Sequence, residues 1–124
     1  MTTKRTPTGL AAALLLAALA ALTACGGPPA SRATITLSEF RIKPKGVDAV
    51  VGKPITITVQ NAGKIEHNLE LDPAVSDVPL LAVLGPGEST TVTFTPKAAG
   101  AFRYVCAIPG HAPAGMAGTL TVGE

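Results

Sequence analysis

An all-β sandwich of seven or eight short antiparallel strands is the fold this sequence predicts. Three observations carry that expectation. Apolar and polar residues alternate with period two from Ala33 onward, clusters of turn residues interrupt the alternation at short intervals, and no long helical repeat follows the first two dozen residues.

The segment before the sandwich has its own pattern. Lys4 and Arg5 precede an unbroken Leu and Ala run from Leu10 to Leu22, which ends at Thr23-Ala24-Cys25 and then the breakers Gly26-Gly27-Pro28-Pro29. A basic start, an apolar run and a small-residue site predict a secretory signal over residues 1–24. As a helix the apolar run would reach about 20 Å, at ~1.5 Å per residue, against a hydrocarbon core of ~30 Å, so it is too short for an uncleaved anchor. Leu22-Thr23-Ala24-Cys25 resembles the lipobox of bacterial lipoproteins, in which the signal is cut before a cysteine that then carries the lipid. The bulky Leu22 is disfavoured for ordinary cleavage and typical of that motif. The resemblance makes Cys25 the lipidated residue and the membrane a partner, since two or more acyl chains anchor stably where one does not. Residues 25–32 form a short linker, and residues 33–124 form the domain.

Within the domain the runs come in order. Ile35 and Leu37 alternate with Thr34, Thr36 and Ser38. Ile55, Ile57 and Val59 alternate with Thr56, Thr58 and Gln60. Ile65, His67, Leu69 and Leu71 share one phase; Val92 and Phe94 follow, then Phe102, Tyr104 and Cys106, and finally Leu120 and Val122. Gly52-Lys53-Pro54, Asn61-Ala62-Gly63, Gly85-Pro86-Gly87 and Ala98-Ala99-Gly100 supply turn chemistry between them. The four aromatic side chains, Phe40, Phe94, Phe102 and Tyr104, all fall in predicted strands. Val75–Leu84 is open between a loop, a helical turn and an irregular edge strand.

Composition narrows the function. The chain has 124 residues and a formal charge of +2. That charge belongs to Lys4 and Arg5, so the predicted mature chain balances eight basic against eight acidic residues. Scattered, balanced charge excludes a dedicated nucleic-acid binder. Two cysteines exclude a disulfide-dense scaffold.

The rarest residue types carry the chemistry. Setting aside Met1 and Cys25, the Cys, His and Met residues are His67, Cys106, His111 and Met116. Three of them lie in the stretch from Cys106 to Met116, and His67 lies upstream on a predicted strand. Taken singly, His67 is an ordinary core histidine, Cys106 a small buried hydrophobe, His111 a loop residue and Met116 core filler. Taken together, one thiolate, two imidazoles and one thioether are the ligand inventory of a type 1 copper site, a His₂Cys plane with a weak axial Met. With Cys25 lipidated, Cys106 has no disulfide partner in an oxidising compartment, and a metal accounts for the free thiol. Cys106 ends a strand and Met116 starts the next, so one hairpin loop delivers three ligands. Pro109, Gly110, Pro113 and Gly115 suit a stiff loop.

These residues resemble the ligand motifs of cupredoxins in the plastocyanin/azurin superfamily. Asn61-Ala-Gly-Lys-Ile-Glu-His67-Asn68 is similar to the first-ligand motif. Phe102-Arg-Tyr-Val-Cys106, Pro109-Gly110-His111 and Gly115-Met-Ala-Gly-Thr-Leu120 are similar to the C-terminal ligand loop. The resemblance implies a Greek-key sandwich over residues 33–124, with one copper held by His67, Cys106, His111 and Met116. It makes Asn68 the residue that pins the ligand loop beside the Cys106 sulfur. The Cys–His spacing resembles azurin, the His–Met spacing plastocyanin, and the combination auracyanin-like, membrane-attached bacterial proteins. The short His67–Cys106 separation is more like amicyanin. Glu66 stands where azurin has a glycine whose carbonyl approaches the copper, so that contact is not expected.

The expected function is a lipid-anchored, monomeric, one-electron carrier outside the cytoplasm, in a periplasm or on an outer face. Redox donor and acceptor proteins would dock on the uncharged loop around His111, with Gly85-Pro86-Gly87 nearby. The alternative is a copper chaperone or store using the same ligands. An enzyme is not expected: copper oxidases and nitrite reductases need further histidines for a second centre, and a binuclear site needs a second cysteine in the loop.

Overall fold

The structure is a computed structural model that describes residues 1–2, 31–78 and 81–124. Residues 3–24 of the predicted signal segment and Cys25 lie outside the described residues. Eight strands form two four-stranded sheets packed face to face. The strands are β1 (Ser31–Ser38), β2 (Arg41–Lys43), β3 (Gly46–Val50), β4 (Ile55–Asn61), β5 (Glu70–Leu71), β6 (Ser89–Phe94), β7 (Gly100–Val105) and β8 (Ala117–Gly123). One sheet runs β2-β1-β4-β6 and the other β3-β8-β7-β5. Among the described residues there is no helix, and hence none long and apolar enough to cross a membrane.

Period-two alternation is what makes these segments strands, because successive side chains on a pleated backbone point to opposite faces. Ile35 and Leu37 of β1, Ile55, Ile57 and Val59 of β4, Val92 and Phe94 of β6, and Leu120 and Val122 of β8 all turn inward and are buried. Threonines occupy the outer face of β4 and β6, where Thr56 Oγ1 meets Thr93 Oγ1 at 2.9 Å. β-Branched side chains suit both faces of such a sheet.

The sandwich expected from the sequence is therefore present, with one correction to its pairing. β1 lies parallel to β4, and β3 parallel to β8; the remaining pairs are antiparallel. Parallel neighbours need a crossover rather than a hairpin. The chain supplies it by leaving the first sheet after β2, running through β3 in the second, and returning as β4. Alternation reports which way a side chain points and is silent on the direction of the neighbouring strand.

Two local expectations also change. The run from Ile65 to Leu71 is not one strand: pairing with β7 is confined to Glu70 and Leu71, and His67 makes a single isolated bridge to Leu84. Ile65, placed inward by its phase, is exposed. Phe40 lies in the turn between β1 and β2 rather than in a strand, with φ of 55° and half its surface exposed. The open segment Val75–Leu84 is an irregular edge over its described part. A turn at Pro73–Val75 leads to Leu81, whose N–H donates to Leu69 O at 2.9 Å, and Leu84 then pairs with His67.

The core is one cluster reaching from Val47 and Val122 to the far end of the sandwich, where Cys106 and Met116 complete it. That end holds the loop between β7 and β8 and the segment carrying His67. Tyr104 is the largest fully buried side chain. Its ring occupies the space left by Gly118, where an added Cβ would stand 2.3 Å from Tyr104 Cζ, and its hydroxyl donates to Pro44 O at 2.7 Å. Burial pushes its pKa up to about 12.

Candidate metal centre

Cys106 follows directly on β7, in the inward phase set by Tyr104. Its N–H donates to Met116 O at 3.0 Å, which closes the hairpin at the base of the loop. The loop itself is a series of hydrogen-bonded turns. His111 N–H donates to Ile108 O, Gly115 N–H to Ala112 O and Met116 N–H to His111 O, all at 3.0–3.1 Å. Gly110 (φ 84°) and Gly115 (φ 116°) take backbone conformations that side chains resist, which is why the tight turns sit there. Lys45, on the β2–β3 connection, donates its ammonium to Gly115 O and, at 3.0 Å, to Ala117 O. The stiff loop expected from its Pro and Gly content is fastened from outside as well.

His67 is held by a different device. Its main chain exchanges two hydrogen bonds with Leu84 (His67 N–H to Leu84 O at 3.1 Å, Leu84 N–H to His67 O at 2.8 Å). Asn61, fully buried at the end of β4, staples the surrounding loops. Its Nδ2 donates to Ile65 O at 2.8 Å and to Leu84 O at 2.9 Å, while its Oδ1 accepts from Gly63 N–H at 2.8 Å.

These supports bring three predicted site residues into contact. His67 Nδ1 lies 3.2 Å from His111 Nδ1, which lies 3.4 Å from Cys106 Sγ. Among the described residues, His67, Cys106 and His111 are grouped so that one donor atom of each lies within 4.8 Å of the others, and all three are buried. Met116 is buried as well and is tied by its main chain to both Cys106 and His111. Asn68 lies beside the sulfur: its Oδ1 accepts the Ala107 N–H at 2.8 Å and the Cys106 thiol donates to it at 3.6 Å.

The donor chemistry fits a soft to borderline metal ion. Only one proton can be shared between two Nδ1 atoms in contact, so the pair keeps imidazole lone-pair capacity beside the Cys106 sulfur. Two imidazoles and a thiol suit copper, whereas the set offers no carboxylate cage for a hard cation. His67 Nε2 is the one buried polar side-chain atom among those described with no hydrogen-bond partner. Desolvation lowers the His67 pKa, and His111 lowers it further while Glu39 opposes them; the shift favours the neutral ring, the state in which it can ligate.

Two residues of the β1–β2 turn join the site without having been expected there. Phe40 stands edge-on to His111, with ring centroids 5.5 Å apart at 72°, and covers an imidazole that is only 8% exposed. Glu39 Oε1 accepts the Lys64 N–H, which with other backbone N–H groups holds its pKa below the usual carboxylate value. Both had a legible signal. Glu39 carries a charge in the inward phase of Ile35 and Leu37, and Phe40 places a large aromatic in the outward phase.

Comparison with known proteins agrees with this geometry. A cupredoxin-like domain family matches residues 9–122. Auracyanin-B of Chloroflexus aurantiacus is 56% identical over 41 residues, 33% of this chain and 17% of that protein. A copper-containing nitrite reductase of Rhizobium sullae is 29% identical over 78% of this chain and 33% of its own. The matches thus span a third or less of these two relatives. Among solved structures, dithionite-reduced auracyanin from Roseiflexus castenholzii superposes with a TM-score of 0.66 at 27% identity, covering 77% of this chain and all of that one. Auracyanin B superposes at 0.63 with 24% identity, a likeness of fold. With the family matched over nearly its whole length, the chain belongs to the cupredoxin-like domain family.

Proposed function

We propose that this protein is a blue copper electron carrier whose copper would be held by His67, Cys106, His111 and Met116. The observation that carries the reading is the convergence of two Nδ1 atoms and one thiol sulfur in a buried pocket at the end of the core. Bound there, copper supplies a one-electron couple between Cu(II) and Cu(I).

The chain's own residues supply what such a couple needs. The loop turns and the Lys45 contacts hold His111 and Met116 in one arrangement, so that little must move when charge changes. Asn68 holds the Cys106–Ala107 link and lies against the sulfur, where its contact tunes the thiolate. Phe40 and the buried core exclude water from the ligands. Around His111, the exposed surface of Ala107, Pro109, Gly110, Pro113 and Ala114 bears no charge, which suits brief docking of a donor or acceptor protein. A lipid on Cys25 keeps the carrier at the outer side of a bacterial membrane. A matching cupredoxin domain also occurs within a nitrite reductase; the carrier reading is favoured here because both histidines of the chain lie in one pocket, leaving none for a second centre.

The fastening of the loops supports a carrier over a chaperone, which must open to release its cargo. The copper-loaded protein is expected to retain its metal against a chelator and against an apo acceptor protein, and to exchange electrons rapidly with its own oxidised form. Ready copper transfer with slow electron self-exchange would instead assign the chaperone function.

A further inference from the structure

We propose that Glu39 is the positioning residue for His67, accepting the Nε2–H proton of that imidazole through the space that Gly63 leaves open. The inference rests on His67 being a metal ligand through Nδ1, as proposed above. An imidazole that gives Nδ1 to a metal keeps its proton on Nε2, and a ligating histidine almost always donates that proton to a carboxylate, a carbonyl or water. His67 is fully buried, and its Nε2 has no hydrogen-bond partner among the described residues.

Gly63 shows where the partner stands. A Cβ built on Gly63 would lie 2.7 Å from Glu39 Oε1, 3.0 Å from His67 Nε2 and 3.2 Å from Asn61 Oδ1. Glu39 and His67 therefore face one another across the volume of a single missing methyl group, no further apart than those first two distances combined. Asn61 Oδ1 is already taken by the Gly63 N–H at 2.8 Å. Glu39 Oε1 is the other oxygen among the three atoms nearest that space, and it belongs to a carboxylate, a strong acceptor. It is also held in place independently, since its Oε1 accepts the Lys64 N–H three residues before His67. The same turn places Phe40 on His111. One short β1–β2 turn thus touches the surroundings of both imidazoles, and Glu39 fixes the tautomer and tilt of the first.

The test uses the full chain loaded with Cu(I) or with Zn(II), so that imidazole protons can be followed by NMR. Unmutated protein is expected to show a slowly exchanging His67 Nε2–H. Glu39→Ala should abolish that protection and weaken Zn(II) binding about tenfold or more, while Glu39→Gln, whose amide oxygen still accepts, should restore part of both. Gly63→Ala tests the same space with the carboxylate retained: its methyl would push the flexible Glu39 side chain away and reproduce the Glu39→Ala signature. Normal metal binding with unchanged Nε2–H exchange in Glu39→Ala overturns the role of Glu39 alone. Failure of the unmutated chain to take up either ion overturns the metal-centre reading itself, and the proposal with it.

Discussion

The two ends of this small sandwich are built by different means. Through its middle, β1, β4, β6 and β8 bury aliphatic side chains by simple alternation, and many residues share the work. At the ligand end the loops are fixed by a few polar side chains: Asn61 to Ile65, Leu84 and Gly63, Asn68 to Ala107, Lys45 to Gly115 and Ala117, Glu39 to Lys64. Hydrophobic burial is non-directional and scales with area, so it sets a sandwich without specifying where a ligand atom lies to a fraction of an ångström. Hydrogen bonds are directional and costly to leave unmade. The body therefore tolerates exchange of similar residues, and the ligand end does not.

The largest stability effect expected from this contrast is at Asn61. Asn61→Ala leaves Ile65 O and the Gly63 N–H without their side-chain partner, at about 1–3 kcal/mol each, and leaves Leu84 O with only the His67 N–H. It should also disturb the copper spectrum, because the loops it staples carry His67. Ile57→Ala in the middle of β4 should cost a comparable ~2–5 kcal/mol as a core cavity yet leave the spectrum of the folded fraction unchanged. Chemical denaturation and visible absorption on both variants decide this. A spectrum altered equally by both would erase the distinction between the ends.

Much of the molecule was legible in its sequence. Ile35, Leu37, Ile55, Ile57 and Val59 announce their inward face by alternation, and three of the four rare ligand-type residues, His67, Cys106 and His111, are brought together in the fold. Asn68 came with the motif around His67. What was hidden depends on partners distant in sequence. No local pattern says that β1 runs beside β4 in the same direction. Ile65 has the phase of a core residue, but the loop that Asn61 staples ends the alternation before it reaches His67. Glu39 and Phe40 break the phase of β1, a visible irregularity whose destination emerges only when the β1–β2 turn meets the ligand loops.

A smaller effect concerns the surface of the ligand end. Pro113→Asp adds a charge to an exposed loop position without touching a ligand. Electron exchange with a redox partner should slow, with folding stability moving by no more than ~0.5 kcal/mol and the copper spectrum intact; unchanged transfer kinetics would remove docking from this loop. A last effect, confined to alkaline solution, belongs to the body. Tyr104 keeps its proton more tightly when folded, with a pKa near 12 rather than the ordinary ~10. Its contribution is therefore complete below about pH 10 and is lost as pH rises toward 12. Denaturant midpoints measured across that window should fall in the unmutated protein and fall less in Tyr104→Phe.

All of this turns on Cys106 being the thiolate of a copper centre, and absorption spectroscopy tests that most directly. Addition of Cu(II) to the domain beginning near Ser31 should produce an intense blue thiolate-to-copper band that vanishes in Cys106→Ser while the sandwich stays folded. A colourless copper complex, or a blue band that survives Cys106→Ser, would contradict the account.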